Sequence, residues 1–249
     1  MKNKKMVLIL LGSVALISTT AQGALSLDRT RIIFNGSEKS ITLSVSNSSE
    51  KLPYLAQSWI ENDKGVKIQS PFMAIPPIQR IEPKKPSQVK IEKLPAINQL
   101  PQDRESLFYF NFREIPPKSD QPNILQLSIQ TKIKLFYRPE SIIVTGTEIN
   151  NSPWQQKLTL EKKGDHFIAK NPTAYFITII GISNTIQKEA VEGFQSFMVP
   201  PFSEFNVNLN PTLVGNSPIL TYIDDYGGKV KMNYSCNPQV CIFNSKADK

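Results

Sequence analysis

Few residues in this 249-residue chain can do covalent or metal chemistry, and their spacing narrows what that chemistry is. The two cysteines, Cys236 and Cys241, stand near the C-terminus in a C-x4-C spacing. Thiol oxidoreductases use C-x2-C, and a zinc site needs further ligands that this neighbourhood lacks. In an exported chain the pair reads as a disulfide closing a short loop. His166 is the single histidine and follows Gly164-Asp165 in a turn, where it reads as a solvated residue. A Ser-His-Asp relay or a multi-histidine metal site has almost no material here. Neither G-x-x-x-x-G-K nor G-x-S-x-G occurs, and no paired acids stand out. Nothing in the sequence calls for a metal or a cofactor, and catalysis is poorly supplied.

The chain is organised instead around one long alternating stretch. In residues 123–139, NILQLSIQTKIKLFYRP, Leu125, Leu127, Ile129, Ile133, Leu135 and Tyr137 share one face of a period-two pattern. Gln126, Ser128, Gln130, Lys132 and Lys134 share the other. The alternation predicts a two-faced strand about 40 Å long at roughly 3.3 Å per residue, well beyond ordinary strand length. Such a strand either crosses a large sheet or offers part of its length to another molecule. Its unpaired backbone groups would invite further strands, including those of a second copy of the free protein.

The elements that must position this strand are also β-type. Ile41, Leu43 and Val45 alternate with polar residues before an Asn47-Ser48-Ser49 turn. Strands follow at residues 54–60, at 66–68 after a Lys64-Gly65 turn, and around Val89 and Ile91. Residues 107–112 read as an apolar, aromatic strand. The polar tract 145–153 reads as the passage to a second domain, with strands at residues 158–160, 167–169, 175–182, 194–199, 205–209, 219–223 and 229–234. Residues 225–228 (Asp-Tyr-Gly-Gly) form the turn between the last two. Nineteen prolines leave no uninterrupted amphipathic helix. The fold class is therefore all-β: two immunoglobulin-like sandwiches, with the disulfide pinning the end of the second.

Lys2, Lys4 and Lys5, the apolar run 7–17 and the small residues before Ala24 form a signal peptide over residues 1–23. The product is an exported chain with no later segment apolar enough to be membrane-embedded. Processing lowers the net charge from +8 to about +5. With no run of five like charges and no basic stripe interleaved with aromatics along the sequence, nucleic acid is a poor partner.

Six stretches carry a family resemblance: SLDRTRIIFNGSEKS (26–40), LPYLAQSWIEN (52–62), PPIQRIEP (76–83), LPQDRESLFYFNFREIPP (100–117), QTKIKLFYRP (130–139) and YIDDYGGKV (222–230). With the C-x4-C spacing they span essentially the whole mature chain, which resembles the periplasmic pilus-assembly chaperones. Phe112 departs from the family, which usually carries a smaller aliphatic residue there.

The resemblance implies a domain at residues 24–141 that carries a donor strand and a domain at 142–249 that holds the disulfide. The two are set at an angle around a cleft. It implies that Leu125, Leu127 and Ile129 complete the unfinished sandwich of a pilus (fimbrial) subunit, and that the subunit is then delivered to an outer-membrane usher. By the same resemblance Arg31 and Lys134 anchor the subunit's C-terminal carboxylate. Glu105, Arg138 and Asp225 link the domains, and Pro76 follows a cis peptide. Lys134 has the parity opposite to the three inserted side chains, so a twist or a bulge must intervene if it reaches the cleft while they face the client. A rival reading, a tandem immunoglobulin-like surface adhesin or structural pilus component, shares the export signal and the β content.

Overall fold

The computed structural model describes residues 23–119 and 125–245. Nearly all of residues 1–23, expected to be a signal peptide, and Asn123 and Ile124 at the start of the long alternation, lie outside them. The first domain comprises Leu25–Leu27 (β1), Arg31–Asn35 (β2), Ser40–Asn47 (β3), Tyr54–Asn62 (β4), Lys67–Ile68 (β5), Phe72–Ile75 (β6), Ile78–Ile81 (β7), Pro86–Lys93 (β8), Ser106–Ile115 (β9) and Gln130–Arg138 (β10). One sheet has the order β1-β3-β8-β6 and the other β2-β10-β9-β4-β5, with β7 paired to β4. Between β1 and β2 the chain crosses from the first sheet to the second, so β2 lies beside β10.

Alternation fixes the core between the sheets. Ile32 and Phe34 of β2, Leu43 and Val45 of β3, Val89 and Ile91 of β8, and Phe108, Phe110 and Phe112 of β9 are all buried there. The aromatic run 107–112 is thus two-faced rather than apolar throughout. Tyr109 and Asn111 point to the opposite side of the sheet, because side chains alternate along a strand. The enlarged Phe112 is accommodated in this core and stacks on Phe110 with ring centroids 6.4 Å apart.

The long alternation is strand only from Gln130 onward. The reason is its neighbours. On one side β10 pairs antiparallel with β9 from Gln130 to Tyr137. On the other it pairs parallel with β2, whose first residue, Arg31, stands opposite Lys134. Upstream of Lys134 that second edge has no partner among the described residues. β1, β2, β6 and β7 are strands beyond those expected from the sequence.

The second domain contains Thr159–Lys163 (β11), His166–Asn171 (β12), Ile177–Ser183 (β13), Phe197–Val199 (β14), Ser203–Val207 (β15), Ile219–Ile223 (β16), Lys229–Cys236 (β17) and Val240–Phe243 (β18). The ladder runs β14-β13-β16-β17-β18-β11-β12-β15. Its end strands β14 and β15 are consecutive in sequence, and Phe197 stacks on Phe205 at 5.1 Å. The ladder therefore curls round one core that includes Leu160, Phe167, Ile179, Leu220 and Tyr234. The disulfide joins Cys236 to Cys241, which face each other across the β17–β18 hairpin. The sequence reading missed β18 and started or ended several strands a few residues away.

The passage between domains is not wholly irregular. Gly146–Asn151 forms a short α-helix (α1) that starts with a capping box. The Thr145 hydroxyl accepts from the Glu148 N–H, and the Glu148 carboxylate accepts from the Thr145 N–H. The two side chains satisfy orphan donors at the helix start reciprocally. Among the described residues no helix is long and apolar enough to cross a membrane.

Candidate functional site

The parallel pairing of β2 with β10 sets Arg31 directly beside Lys134. Both belong to the face opposite Ile32, Ile133 and Leu135, which are buried in the core. That face forms part of a cleft of about 400 Å³ between the domains, bounded across from Arg31 by Asp225 and Tyr226. The register of β10 is continuous from Gln130 to Tyr137, so Lys134 points to the same side of the sheet as Arg31 with neither a bulge nor an unusual twist, although Arg31 lines the cleft and Lys134 is not among its lining residues. The cleft lies on the outer side of the sheet and the core on the inner side. Opposite parity is what that arrangement requires.

Neither cation has an acidic partner among the salt bridges of the described residues. The Arg31 guanidinium donates from Nη1 to the Ile223 carbonyl of the second domain at 3.3 Å, while its buried Nε has no acceptor. Burial pulls the Arg31 pKa below its ordinary value despite the nearby Asp225 and Asp224 carboxylates. Burial, and then the adjacent Arg31 charge, do the same to Lys134. Two half-buried like charges side by side are costly unless an anion joins them. A carboxylate placed between them would make charge-assisted hydrogen bonds to both, and the planar guanidinium fork suits it.

Immediately upstream lies an apolar ledge. Leu125 is 82% exposed, Leu127 65% and Ile129 42%. The intervening polar side chains face the other way and hold the segment to β9 and the loop after it. Gln126 Nε2 donates to the Pro117 carbonyl at 2.6 Å, and Ser128 Oγ donates to the Glu114 carbonyl at 2.5 Å. The Glu114 N–H donates to the Ile129 carbonyl at 2.9 Å. The ledge continues the core face of β10 beyond the point where this chain has core to cover it. Burying three such side chains is worth on the order of 5–9 kcal/mol gross, before the costs of ordering and association.

Glu105, Arg138 and Asp225 meet at the junction of the domains. Arg138 donates from Nε and Nη2 to Glu105 Oε1 at 2.9 and 2.7 Å. It also donates from Nη1 to Asp225 Oδ2 at 2.9 Å. Glu105 Oε2 accepts from the Phe176 N–H at 2.8 Å, so one carboxylate of the first domain holds the backbone of the second. Burial pushes the Glu105 carboxyl up to about 7 against the pull of Arg138. Burial works to discharge Arg138 as well, but the two carboxylates outweigh it and hold its pKa above the ordinary value.

The sequence reading missed the aromatic side of this junction. Arg138 lies over the rings of Trp154 and Tyr175 at 4.9 and 5.0 Å, and Phe136 meets Phe176 at 5.5 Å. The turn after β16 completes it. Gly227 has φ +86°, and a Cβ there would sit 2.3 Å from Thr30 Oγ1, so only glycine lets the turn approach β2 this closely. The Ile75–Pro76 peptide is cis, as is Ser70–Pro71. Pro76 lies between β6 and β7, and Cys236–Cys241 lies at the β17–β18 hairpin, so neither belongs to the cleft. His166 opens β12 beside Asp165, with Nδ1 3.1 Å from Oδ1.

Comparison with known proteins agrees with the two-domain all-β fold. Residues 24–143 match the family model of the pili and flagellar-assembly chaperone, PapD N-terminal domain. Residues 153–234 match that of the pili assembly chaperone PapD, C-terminal domain. The chain is 48% identical over 236 residues to the chaperone protein PapD of Escherichia coli, covering 94% of this chain and 95% of that one. It is 42% identical over 232 residues to the chaperone protein PmfD of Proteus mirabilis, covering 92% and 89%. Among solved structures it resembles the periplasmic chaperone SfaE, with 31% identity, a TM-score of 0.66 and 84% and 98% of the two chains covered. It also resembles the chaperone in the complex of Salmonella enterica SafA pilin with SafB, with 26% identity, a TM-score of 0.70 and 88% and 99% covered. A two-domain all-β chain matched along nearly its whole length in this way belongs to the pilus-assembly chaperone family.

Proposed function

We propose that this chaperone works in the periplasm by lending the ledge and upstream edge of β10 to a pilus subunit whose own sandwich lacks a strand. The observation that carries the reading is one of position. Among the described residues, β10 has an unpaired edge upstream of Lys134, the apolar ledge of Leu125, Leu127 and Ile129 lies along it, and two cations without an acidic partner in a salt bridge stand where that edge ends. A client strand in this lane occupies the line of β2 extended backwards. To bring its C-terminal carboxylate to Arg31 and Lys134 it must run in the same direction as β10. Main-chain hydrogen bonds then hold clients of differing sequence, and alternate side chains fix the register, because a slip of one residue presents Gln126 and Ser128 instead. The reading includes export by residues 1–23, domains at 24–141 and 142–249, a rigid junction at Glu105, Arg138 and Asp225, and handover to an outer-membrane usher. The same open edge is available to a second copy when no client is bound.

Leu127→Glu tests it. The side chain is mostly exposed in the free chaperone, so the variant should fold and melt as the wild type does while a charged group blocks the client's groove. Loss of subunit co-purification from periplasmic extract is the expected result; undiminished co-purification would overturn the proposal.

A further inference from the structure

The outer face of the β2-β10-β9-β4-β5 sheet carries an ordered charge pattern that runs from the cleft across the first domain. Residues directly opposite one another in adjacent strands point the same way, so the register arranges this face in rows. The row at the cleft reads Arg31, Lys134, Tyr109, Glu61 and Lys67. The next reads Lys132, Asn111 and Trp59, and the one beyond reads Gln130, Arg113 and Gln57. Five cations thus share these rows with a single acid. That acid is already engaged, since Glu61 accepts from Lys132 Nζ at 2.7 Å and from Trp59 Nε1 at 2.8 Å.

The cations outside the anchor are held on aromatic rings. Lys132 Nζ lies 4.4 Å from the centre of the Tyr109 ring. Arg113 and Lys67 lie 5.1 and 5.9 Å from that of Trp59. Arg113 also donates to Gln130 Oε1 at 2.8 Å. Rings beneath these chains restrict their motion and keep their charges at the surface. The solubility of a basic protein requires no such arrangement, and scattered lysines would serve that end. Here the excess of cations is braced against rings on one face, in rows that begin at Arg31 in the cleft, with Lys132 alone among them paired to an acid, Glu61.

We infer that this face is an electrostatic guide that favours clients with acidic side chains flanking their C-terminal strand. The inference rests on the proposed docking of that strand along β10 and adds to it a preference among clients. A strand in the open lane presents alternate side chains toward Lys132 and Arg113, and a fixed field of one sign speeds the approach of the opposite charge. Its effect therefore falls on the association rate and fades as salt screens it.

Stopped-flow binding to the mature chaperone, read by Trp59 and Trp154 fluorescence, tests the inference. The probes are short synthetic peptides with a free C-terminal carboxylate and leucine at alternate positions, differing only in Asp, Asn or Lys between the leucines. At low salt the Asp peptide should associate at least about tenfold faster than the Lys peptide, and the gap should close at high salt. Neutralising the guide with Lys67→Gln, Arg113→Gln and Lys132→Gln should shrink the gap severalfold without changing dissociation. Glu61→Gln should widen it, a gain that misfolding cannot mimic. Equal association of the three peptides, or a gap unmoved by these substitutions, would overturn the guide. Leu127→Glu and an amidated peptide are the separate controls. If they abolish binding while charge has no effect, only the guide fails; if binding survives them, the docking reading fails and takes the guide with it.

Discussion

Replacing Arg138 with methionine separates the junction from the rest of the account. Arg138 is 2% exposed and donates to both Glu105, 4% exposed, and Asp225. Methionine keeps most of the volume and the contact with Trp154 and Tyr175 but leaves Glu105 with only the Phe176 N–H. Breaking a buried ion pair on one side costs about 3–5 kcal/mol. The loss should depend on pH, and its sign follows from proton counting. Burial already raises Glu105 to about 7 in the folded wild type. Between the ordinary carboxyl range and that value the folded state binds more protons than the unfolded one, so this group lowers stability as pH rises. Removing Arg138 takes away the attraction that favours the carboxylate, which raises the folded pKa further and extends the loss to higher pH. The penalty of Arg138→Met should therefore be smallest near pH 5, where Glu105 is protonated in both proteins and the ion pair lost is only that with Asp225. It should grow by about 1.4 kcal/mol at most by about pH 8, because Glu105 of the wild type ionises only above about 7 and one pKa unit is worth about 1.4 kcal/mol. It reaches the full amount only at higher pH. Urea unfolding followed by Trp154 fluorescence measures it. Adding Glu105→Gln should recover much of the loss, because a neutral amide needs no counter-charge. A loss below about 1 kcal/mol at pH 8, or one equal at both pH values, would refute this account of the junction.

Arg31→Ala should weaken subunit binding by about 2–5 kcal/mol, and amidating the subunit's C-terminus should cost a similar amount. Isothermal titration of the four combinations should show the two losses to be strongly non-additive, since each removes the same contact. Lys134 adds a pH dependence of its own. Burial and Arg31 hold its pKa below the ordinary lysine value in the free protein, and a bound carboxylate raises it again. Binding must then take up a proton on the alkaline side, so affinity for a carboxylate-terminated peptide should fall as pH rises through the depressed Lys134 value. An affinity flat across that range would argue against Lys134 as part of the anchor.

Several of these features were legible in the sequence because they depend on local alternation. The two faces of residues 125–137 read correctly: Ile133, Leu135 and Tyr137 are buried, and the three residues upstream continue their face into solvent. What alternation cannot say is where a neighbouring strand stops. That depends on β2 beginning at Arg31, and β2 itself was not read as a strand, although its Ile32 and Phe34 alternate inward. The parity of Lys134 suggested a twist or a bulge, but the regular register places it on the outer face beside Arg31 without either. Short strands such as β6 and β7 were hidden by the prolines between them, and β18 by its position after a tight disulfide hairpin. The capping box at Thr145 and Glu148 was present in the sequence, but the surrounding Asn, Ser and Gly residues favoured a loop. Trp154 and Tyr175 gave no sign of meeting Arg138, because that contact exists only once two separately folded domains are docked.

Amide hydrogen exchange on the chaperone alone and in complex with its subunit tests the central claim most directly. If β10 completes the client's sandwich, the backbone amides of residues 125–133 that face the open lane should change from fast to strongly protected exchange on binding. Protection should stop at Lys134, where β2 already occupies that edge. An intact complex in which these amides exchange as quickly as in the free protein would contradict the account.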